Sequence, residues 1–596
     1  MSYTAPLKDM LFVLNELAGL SQINALPDCE DATPETVEAI LEENGRFCSE
    51  VVAPLNQEGD KQPSFWHDSG EVTTSKGFKA AFKAFGAGGW QGVQHPQAFG
   101  GQGLPKLVAT PCIEMLNSAN LAFALCPLLT DGVIEALITA GSDQQKAVYL
   151  EKMIEGEWTG TMNLTEPQAG SDLALVRTRA VPQEDGTYKL SGTKIFITYG
   201  EHDMADNIVH LVLARTPGAP EGVKGISLFV VPKFLSKADG TPGERNDVHC
   251  VSIEHKMGIK ASPTAVLQFG DHGGATGTLV GEENRGLEYM FIMMNAARFA
   301  VGIQGISVAE RAYQKAVAYA KDRVQSRDLE GSPGPVTIIH QPDVRRMLMS
   351  MRAQIEASRA LAYVGAGASD LARHHADADV RRDNQAFYEY LVPIIKGWST
   401  ELAIDVASTG IQVHGGMGFI EETGAAQYYR DARILAIYEG TTAIQANDLV
   451  GRKTGRDGGA VANKIIAEVR NTAATLADGN DELKAIGRRL ETAATALEQV
   501  VAYVVGNLKS DIKGVFAGSV PYLKLAGIVL GGWQMGRAAL AAQRKLQDGA
   551  GDKDFYSAKI VTARFFADHF LTQADAYRLA IVEGSGAVQA LSEAQF

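Results

Sequence analysis

Between residues 161 and 282 the apolar pattern of this 596-residue chain changes period, and that change limits the folds open to it. Upstream, Leu11, Val13, Leu14, Leu17 and Leu20 are spaced for one helix face, as are Val37, Ile40 and Leu41, with Phe47 and Val51 further on. Inside the block, "YKLSGTKIFIT", "NIVHLVLAR", "GISLFVVP", "VHCVSIEH" and "TAVLQFGD" are short β-branched runs divided by Gly, Pro and Asp. That is the pattern of an antiparallel sheet or small barrel, not of βαβ units. From Leu287 helical spacing returns, alanine-rich in "RFAVGIQGISVAERAYQKAVAYAKDR". "EGSPGPVTIIHQPD" reads as a loop before a long helix starting near Asp343. The order helices, strands, helices makes the chain α+β.

A chain this long exceeds one ordinary core. The pattern divides it into a helical domain (1–160), a β-domain (161–282), a helical bundle (283–455) and a helical extension (456–596). "GRKTGRDGGA" (451–460) reads as the linker to the extension, in which four helical segments are expected. In one of them Leu483, Ile486, Leu490, Ala494, Leu497, Val501 and Val504 repeat at three- and four-residue steps, so that face must bury against partners.

With 45% hydrophobic and 21% charged residues the chain is globular, and its net charge of -15 argues against nucleic acid or anionic membranes as partners. Five scattered cysteines, without CxxC or a His/Cys cluster, point away from a disulfide framework or a zinc site, and toward a reducing cytoplasm. The N-terminus carries Asp9 and Glu16 within its apolar pattern and reads as an amphipathic helix, not a signal peptide. No stretch is expected to supply the roughly 18 apolar residues of a membrane span. Gly86-Ala87-Gly88-Gly89-Trp90-Gln91 imitates a dinucleotide fingerprint but ends in Gln91 and follows no strand.

Two stretches carry the chemistry. "MNLTEPQAGSDLALVRTRA" (162–180) offers the hydroxyls of Thr165 and Ser171, with Gly170 where backbone could approach a ligand and Pro167 stiffening the turn. By itself it could equally be a polar turn between helix and strand. In "LAIYEGTTAIQANDLVGRK", Glu439 follows Leu435, Ala436, Ile437 and Tyr438 and precedes Gly440. A helix starting at Thr441 or Thr442 would bury Ile444 and Leu449, with Ala443 and Ala446 beside them. Glu439 is then either an N-terminal helix charge or a base in a dry pocket.

These stretches are not isolated. "GTMNLTEPQAGSD", "SGTKIFIT", "EHKMGIKASPT", "IQVHGGMGF" and "RDARILAIYEGTTAIQ" occur in the order and approximate spacing of the acyl-CoA dehydrogenase family, which the chain resembles over about residues 30 to 455. The resemblance implies noncovalent FAD at a subunit interface of a homodimer and oxidation of an acyl-CoA to the trans-2-enoyl-CoA. Electrons would pass to electron-transferring flavoprotein. It places Met162, Leu164, Thr165, Gly170 and Ser171 along the flavin ring, and Phe196 and Thr198 against its other side. Phe196 stands where the family usually has Trp, which keeps stacking and loses an indole donor.

The resemblance also implies that Arg323, Gln412, Gly415 and Gly416 reach a neighbouring protomer's pyrophosphate and adenine. Arg323 is followed by Val324-Gln325-Ser326-Arg327, a departure from the family's usual pattern. Thr441 is a further implied cofactor contact, and Ser171, Arg298 and Gly440 are implied at the substrate. No metal is implied. Glu439 matches the family's catalytic base. An ordinary Glu, with a pKa of ~4.3, is too weak for a proton α to a thioester, so apolar surroundings must raise it. Some relatives carry the base just before the arginine matched by Arg298; Ala297 stands there and cannot serve.

Chain length and tail most resemble a bacterial branch acting on a short thioether acyl group, 3-methylthiopropionyl-CoA. An acyl-CoA oxidase, a long-chain dehydrogenase and a DNA-associated binding protein of the same fold are the rival readings. Even mixing of Lys/Arg with Asp/Glu in 460–596 speaks against the last.

Overall fold

The computed structural model describes residues 3–237, 239–549 and 551–596, with every side chain among them but that of Ile292. The N-terminal part is built on α1 (Leu7–Glu16), α2 (Pro34–Phe47), α3 (Phe78–Ala87), α4 (Lys106–Ala119), α5 (Leu121–Ala140) and α6 (Asp143–Ile154). Local chemistry sets their starts. Thr33 caps α2 with Pro34 in its first turn, Asn120 caps α5, and Ser142 and Gln145 form a reciprocal capping box on α6.

α5 corrects one expectation. This 20-residue helix, with an 18-residue window of mean hydropathy 1.8, is long and apolar enough to cross a membrane, although Asp131 and Glu135 interrupt the run. Most of the helix is buried within the fold, the place of a core helix, and the same holds for the long helix from Gly286 to Asp322.

The β-domain holds β1 (Trp158–Asn163), β2 (Arg179–Pro182), β3 (Tyr188–Thr198), β4 (Asn207–Ala214), β5 (Ser227–Pro232), β6 (Val248–Ile253), β7 (Thr264–Phe269) and β8 (Ala275–Val280). They form one sheet in the order β6-β7-β3-β8-β5-β4-β1, with β2 on β3. Most pairs are antiparallel, as the β-branched runs suggest. β1, which those runs did not include, instead pairs in parallel with β4, Trp158 opposite Asn207. β4 and β5 are buried throughout, so they read as continuous apolar runs rather than alternations. At the sheet's edge Asp247, His249 and His272 bring ligand atoms within 4.8 Å of one another, a grouping their sequence spacing did not reveal.

α7 (Gly286–Asp322), α8 (Pro342–His374) and α9 (Ala378–His414) pack on one another, and α10 (Thr442–Asp448) follows. The extension carries the four expected segments as α11 (Ala460–Ala477), α12 (Asp481–Asn507), α13 (Ser519–Gln547) and α14 (Lys553–His569), with shorter helical turns between and after them. The whole stripe from Leu483 to Val504 on α12 is buried. Residues 451–460 are no free linker. Helical turns continue to Gly455, and Thr454 is buried with its hydroxyl 2.8 Å from that of Tyr522.

The extension shares one core with the N-terminal helices and the bundle. α13 packs on α8, α9 and α10, and α14 on α8. Lys559 of α14 donates to Glu356 of α8 at 3.0 Å and pairs with Asp9 of α1. Arg359, 1% exposed, binds Asp9 and Glu114 at 2.6 Å and Glu310 at 2.8 Å, so four helices meet on buried charge that is paired throughout.

Candidate active site

The turn before α10 has a constrained backbone. Glu439 has φ +52 and Gly440 φ +90, two successive residues in the left-handed region, which a glutamate seldom adopts. Thr441 caps α10, its hydroxyl accepting from Ile444 N–H at 3.4 Å. The buried face of α10 is partly the expected one: Ala446 and Leu449 are buried, but so are Thr442, Gln445 and Asp448, whereas Ile444 is half-buried and Ala443 exposed. Gln445 turns inward because it closes the turn: Nε2 donates to Gly440 O at 3.2 Å and reaches Glu439 O at 3.5 Å. A Cβ on Gly440 would lie 2.6 Å from that same nitrogen and, at φ +90, would strain the backbone.

Two cations converge on this turn. Lys396 of α9 is buried and donates to Leu435 O at 2.8 Å and to Gly440 O at 2.7 Å. Burial pulls its ammonium down to about 7, with Glu439 resisting the shift. Arg298 of α7, 4% exposed, pairs with Asp448 at 3.4 Å and has no hydrogen-bond partner at Nε. Burial raises the Glu439 carboxyl above the ordinary range, and the charges of Lys396 and Arg298 draw it back. Glu439 is thus a carboxylate in a partly dry setting rather than a solvated helix charge. Lys396 and Gln445 were not singled out in the sequence; their relation to Glu439 exists only once α9 and α10 are packed.

The loop after β1 is shaped from beneath. Lys194 of β3 is fully buried and donates to Leu164 O at 3.0 Å and to Glu166 Oε1 at 2.8 Å. Glu166 also accepts from Arg177 N–H at 2.8 Å and Thr178 N–H at 3.1 Å. Burial opposes its charge, yet Lys194 holds the carboxyl down to about 2. Fixed in this way, the loop presents Leu164 and Thr165 half-buried and Gly170 and Ser171 exposed, with no atom within 4 Å of a Cβ on Gly170.

Opposite, β3 bulges where its register against β7 shifts between Ala265 and Leu267. Phe196 sits on that bulge with φ +60 and its ring 59% exposed, and Thr198 follows half-buried. An uncovered aromatic ring beside an open glycine and free hydroxyls fits a flat aromatic cofactor such as a flavin. Met162 joins this loop to the bundle. A Cβ on Gly132 would lie 3.6 Å from Met162 Sδ and 3.5 Å from Cε of Met293, on α7 just before Arg298.

Arg323, Gln412, Gly415 and Gly416 stand apart from that centre. Arg323 ends α7, 25 residues beyond Arg298 (323 − 298), or about 37 Å along a straight helix. Tyr319 stacks on His414 at 4.4 Å, which brings the end of α7 to residues 412–416. All four are exposed, near Phe419 at 85% and Leu329 at 78% exposure.

A cavity of about 600 Å³ lies among α4, α5 and α7. Leu116, Leu128, Gly132, Ala297 and Ala300 line its apolar side, so Ala297 faces open space instead of offering a second carboxylate. Gln91, Asp131 and Glu135 line another side. Behind them His95 is fully buried, 2.7 Å from Asp131 and 3.5 Å from Glu135. Burial works against a charged imidazole there, but the two carboxylates push it up to about 9.

Comparisons with known proteins match the chain domain by domain. Residues 34–157, 161–272 and 284–453 match the descriptions "Acyl-CoA dehydrogenase, N-terminal domain", "middle domain" and "C-terminal domain", and residues 465–592 match "Acetyl-CoA dehydrogenase C-terminal like". The chain is 53% identical to 3-methylmercaptopropionyl-CoA dehydrogenase of Ruegeria pomeroyi over 97% of both chains. It is 37% identical to the broad-specificity linear acyl-CoA dehydrogenase FadE5 of Mycobacterium tuberculosis over the whole of both. Its fold matches that of an acyl-CoA dehydrogenase complexed with FAD from Bacillus anthracis, with a TM-score of 0.74 and 22% identity over 96% of this chain and 91% of that one. This chain therefore belongs to the acyl-CoA dehydrogenase family, whose members are FAD-dependent oxidoreductases.

Proposed function

We propose that the chain oxidises short acyl-CoA thioesters at the Cα–Cβ bond, with Glu439 as base, and hands the electrons to electron-transferring flavoprotein. The observation that carries this reading is the Glu439 turn. Its carboxyl is raised by burial, and its own N–H makes no hydrogen bond among the described residues. The carboxylate takes the α-proton onto a side-chain oxygen, while the free N–H donates to the thioester oxygen as charge develops there. Arg298 keeps positive charge at the same end and offers Nε to the thioester arm. FAD, when bound, accepts the β-hydrogen as hydride.

Met162, Leu164, Thr165, Gly170, Ser171, Phe196 and Thr198 would hold the flavin ring, and Thr441 lies on the same turn as the base. Arg323, Gln412, Gly415 and Gly416 would serve a neighbouring protomer's cofactor in a homodimer. Their distance from Arg298 and the exposed Phe419 and Leu329 support that assignment. The acyl chain would enter the cavity beside Ala297. A short thioether substrate, 3-methylthiopropionyl-CoA, is favoured by the similarity to the Ruegeria enzyme.

Glu439→Gln tests the reading. The variant should bind FAD and acyl-CoA and lose anaerobic flavin reduction by several orders of magnitude, each tenfold being about 1.4 kcal/mol of barrier. Retention of more than about a tenth of the wild-type rate would remove Glu439 from the role. Mixing reduced enzyme with oxygen or with electron-transferring flavoprotein separates dehydrogenase from oxidase.

A further inference from the structure

Lys396 is a buried ionisable group whose ammonium is bound by backbone carbonyls. It projects from the middle of α9 into the closed side of the 435–440 turn, 0% exposed. Its ammonium donates to the carbonyls at the turn's two ends, Leu435 O at 2.8 Å and Gly440 O at 2.7 Å. Between those carbonyls lies Glu439, held at φ +52. A backbone in that region persists only where its neighbours over-determine it, and two charge-assisted hydrogen bonds spanning the turn do so.

We propose that Lys396 is the positioning residue of the base: its ammonium closes the turn from both ends and sets a positive charge against the Glu439 carboxylate. This rests on the reading of Glu439 as base and adds what holds that base in place and in its working charge state. Burial pulls this ammonium down to about 7, and its Coulombic neighbours decide how far the shift goes. Glu439 faces it from the turn and Glu401 from its own helix, both favouring the charged form, whereas Arg298 of α7 opposes it. Glu401 accepts from Thr442 Oγ1 at 2.5 Å, which fixes that carboxylate at the start of α10. Arg298 is partly neutralised by Asp448, which Arg452 also binds at 2.6 Å. Glu439 is left with two cations, of which only Lys396 is hydrogen-bonded to its turn.

The extension reinforces the placement. A Cβ on Gly397, the next residue, would lie 2.7 Å from Leu523 of α13, so the extension packs directly on α9 at this point. Lys396 is thereby tied to a part of the chain remote from the reacting atoms.

The test compares K396M and K396Q holoenzymes with wild type in single-turnover flavin reduction from roughly pH 6 to pH 9. Methionine keeps the length without charge or donors, and glutamine keeps donors without charge. Removing the cation should raise the pH at which the base ionises, moving the acid limb of the reduction rate up by about one unit or more in both variants. KM should stay within about threefold of wild type. K396M should lose additional rate at every pH, because the turn is no longer tied.

An acid limb at its wild-type position in both variants, whatever the rate, overturns the proposal. Should both variants lose FAD, the double variants with E439Q decide. Recovery of FAD once the unpaired carboxylate is gone supports the proposal; no recovery assigns Lys396 to folding alone and overturns it. E439Q by itself reports separately on the base: normal flavin reduction there would sink the reading of Glu439 without depending on any Lys396 result.

Discussion

Lys194 Nζ lies 2.8 Å from Glu166 Oε1 and 3.0 Å from Leu164 O, with lysine and glutamate both buried beneath the loop that presents Thr165, Gly170 and Ser171. One ammonium thus joins the strand carrying Phe196 to the loop on the other side of the proposed flavin position. Breaking such a pair by removing one partner leaves a buried charge unmatched, at a cost of about 3–5 kcal/mol. Lys194→Met should purify with a reduced FAD-to-protein absorbance ratio and a lowered Tm, and added FAD should restore less than the full ratio. A variant with wild-type FAD content and Tm would show that the loop needs no such tie.

The buried His95 gives stability a pH dependence with a definite sign. Its folded-state pKa, about 9, is raised above the ordinary value by Asp131 and Glu135. A raised pKa contributes stability that is fully present below the unfolded value of about 6.5 and is lost as pH rises through about 9. Wild-type Tm should therefore fall between those limits, and His95→Gln should show a flatter dependence over the same window. Parallel Tm curves for the two proteins would mean that His95 is not charged in the native state.

The extension should not be separable. Trp398 of α9 lies so close to α13 that a Cβ on Gly527 would come within 2.3 Å of its ring and one on Gly531 within 2.5 Å. A chain ending at Arg456 would expose Trp398 and the apolar residues that α13 now covers. Light scattering should find it aggregated or in an altered oligomeric state. A well-behaved protein with full activity would make the extension an independent module.

With the acyl chain in the cavity, as proposed, chain-length preference follows. Each methylene buried against Leu116, Leu128 and Ala300 gains about 0.8 kcal/mol, but one driven against Asp131 and Glu135 must desolvate an ionic cluster. We expect kcat/KM to peak for acyl chains of about four to eight atoms, with the thioether within roughly tenfold of its straight-chain isostere. Efficiency climbing steadily to palmitoyl-CoA would place the protein in long-chain oxidation instead.

The sequence by itself determined the class of fold and marked Glu439 as the candidate base. The switch from helical to alternating period and back is local, set by side chains a few residues apart, and "YEGT" places Glu439 by motif alone. The stripe on α12 was legible for the same reason: burial of one helix face is written into that helix.

What depends on pairs of residues distant in the chain was not legible. Lys396 and Glu439 are 43 positions apart (439 − 396), and Lys194 and Glu166 are 28 apart; neither pair has a spacing that predicts contact. α10 illustrates the reason within a few residues. By its apolar pattern it should bury Ile444, yet Ile444 is half-buried and Gln445 is buried, its Nε2 donating to Gly440 O at 3.2 Å. The parallel pairing of β1 with β4 and the packing of 451–460 against Tyr522 were likewise decided by what the rest of the chain left unpaired. Periodicity reports which faces are apolar, whereas only the packed tertiary structure settles which polar groups must find partners, and the working charge of Glu439 belongs to that second kind of fact.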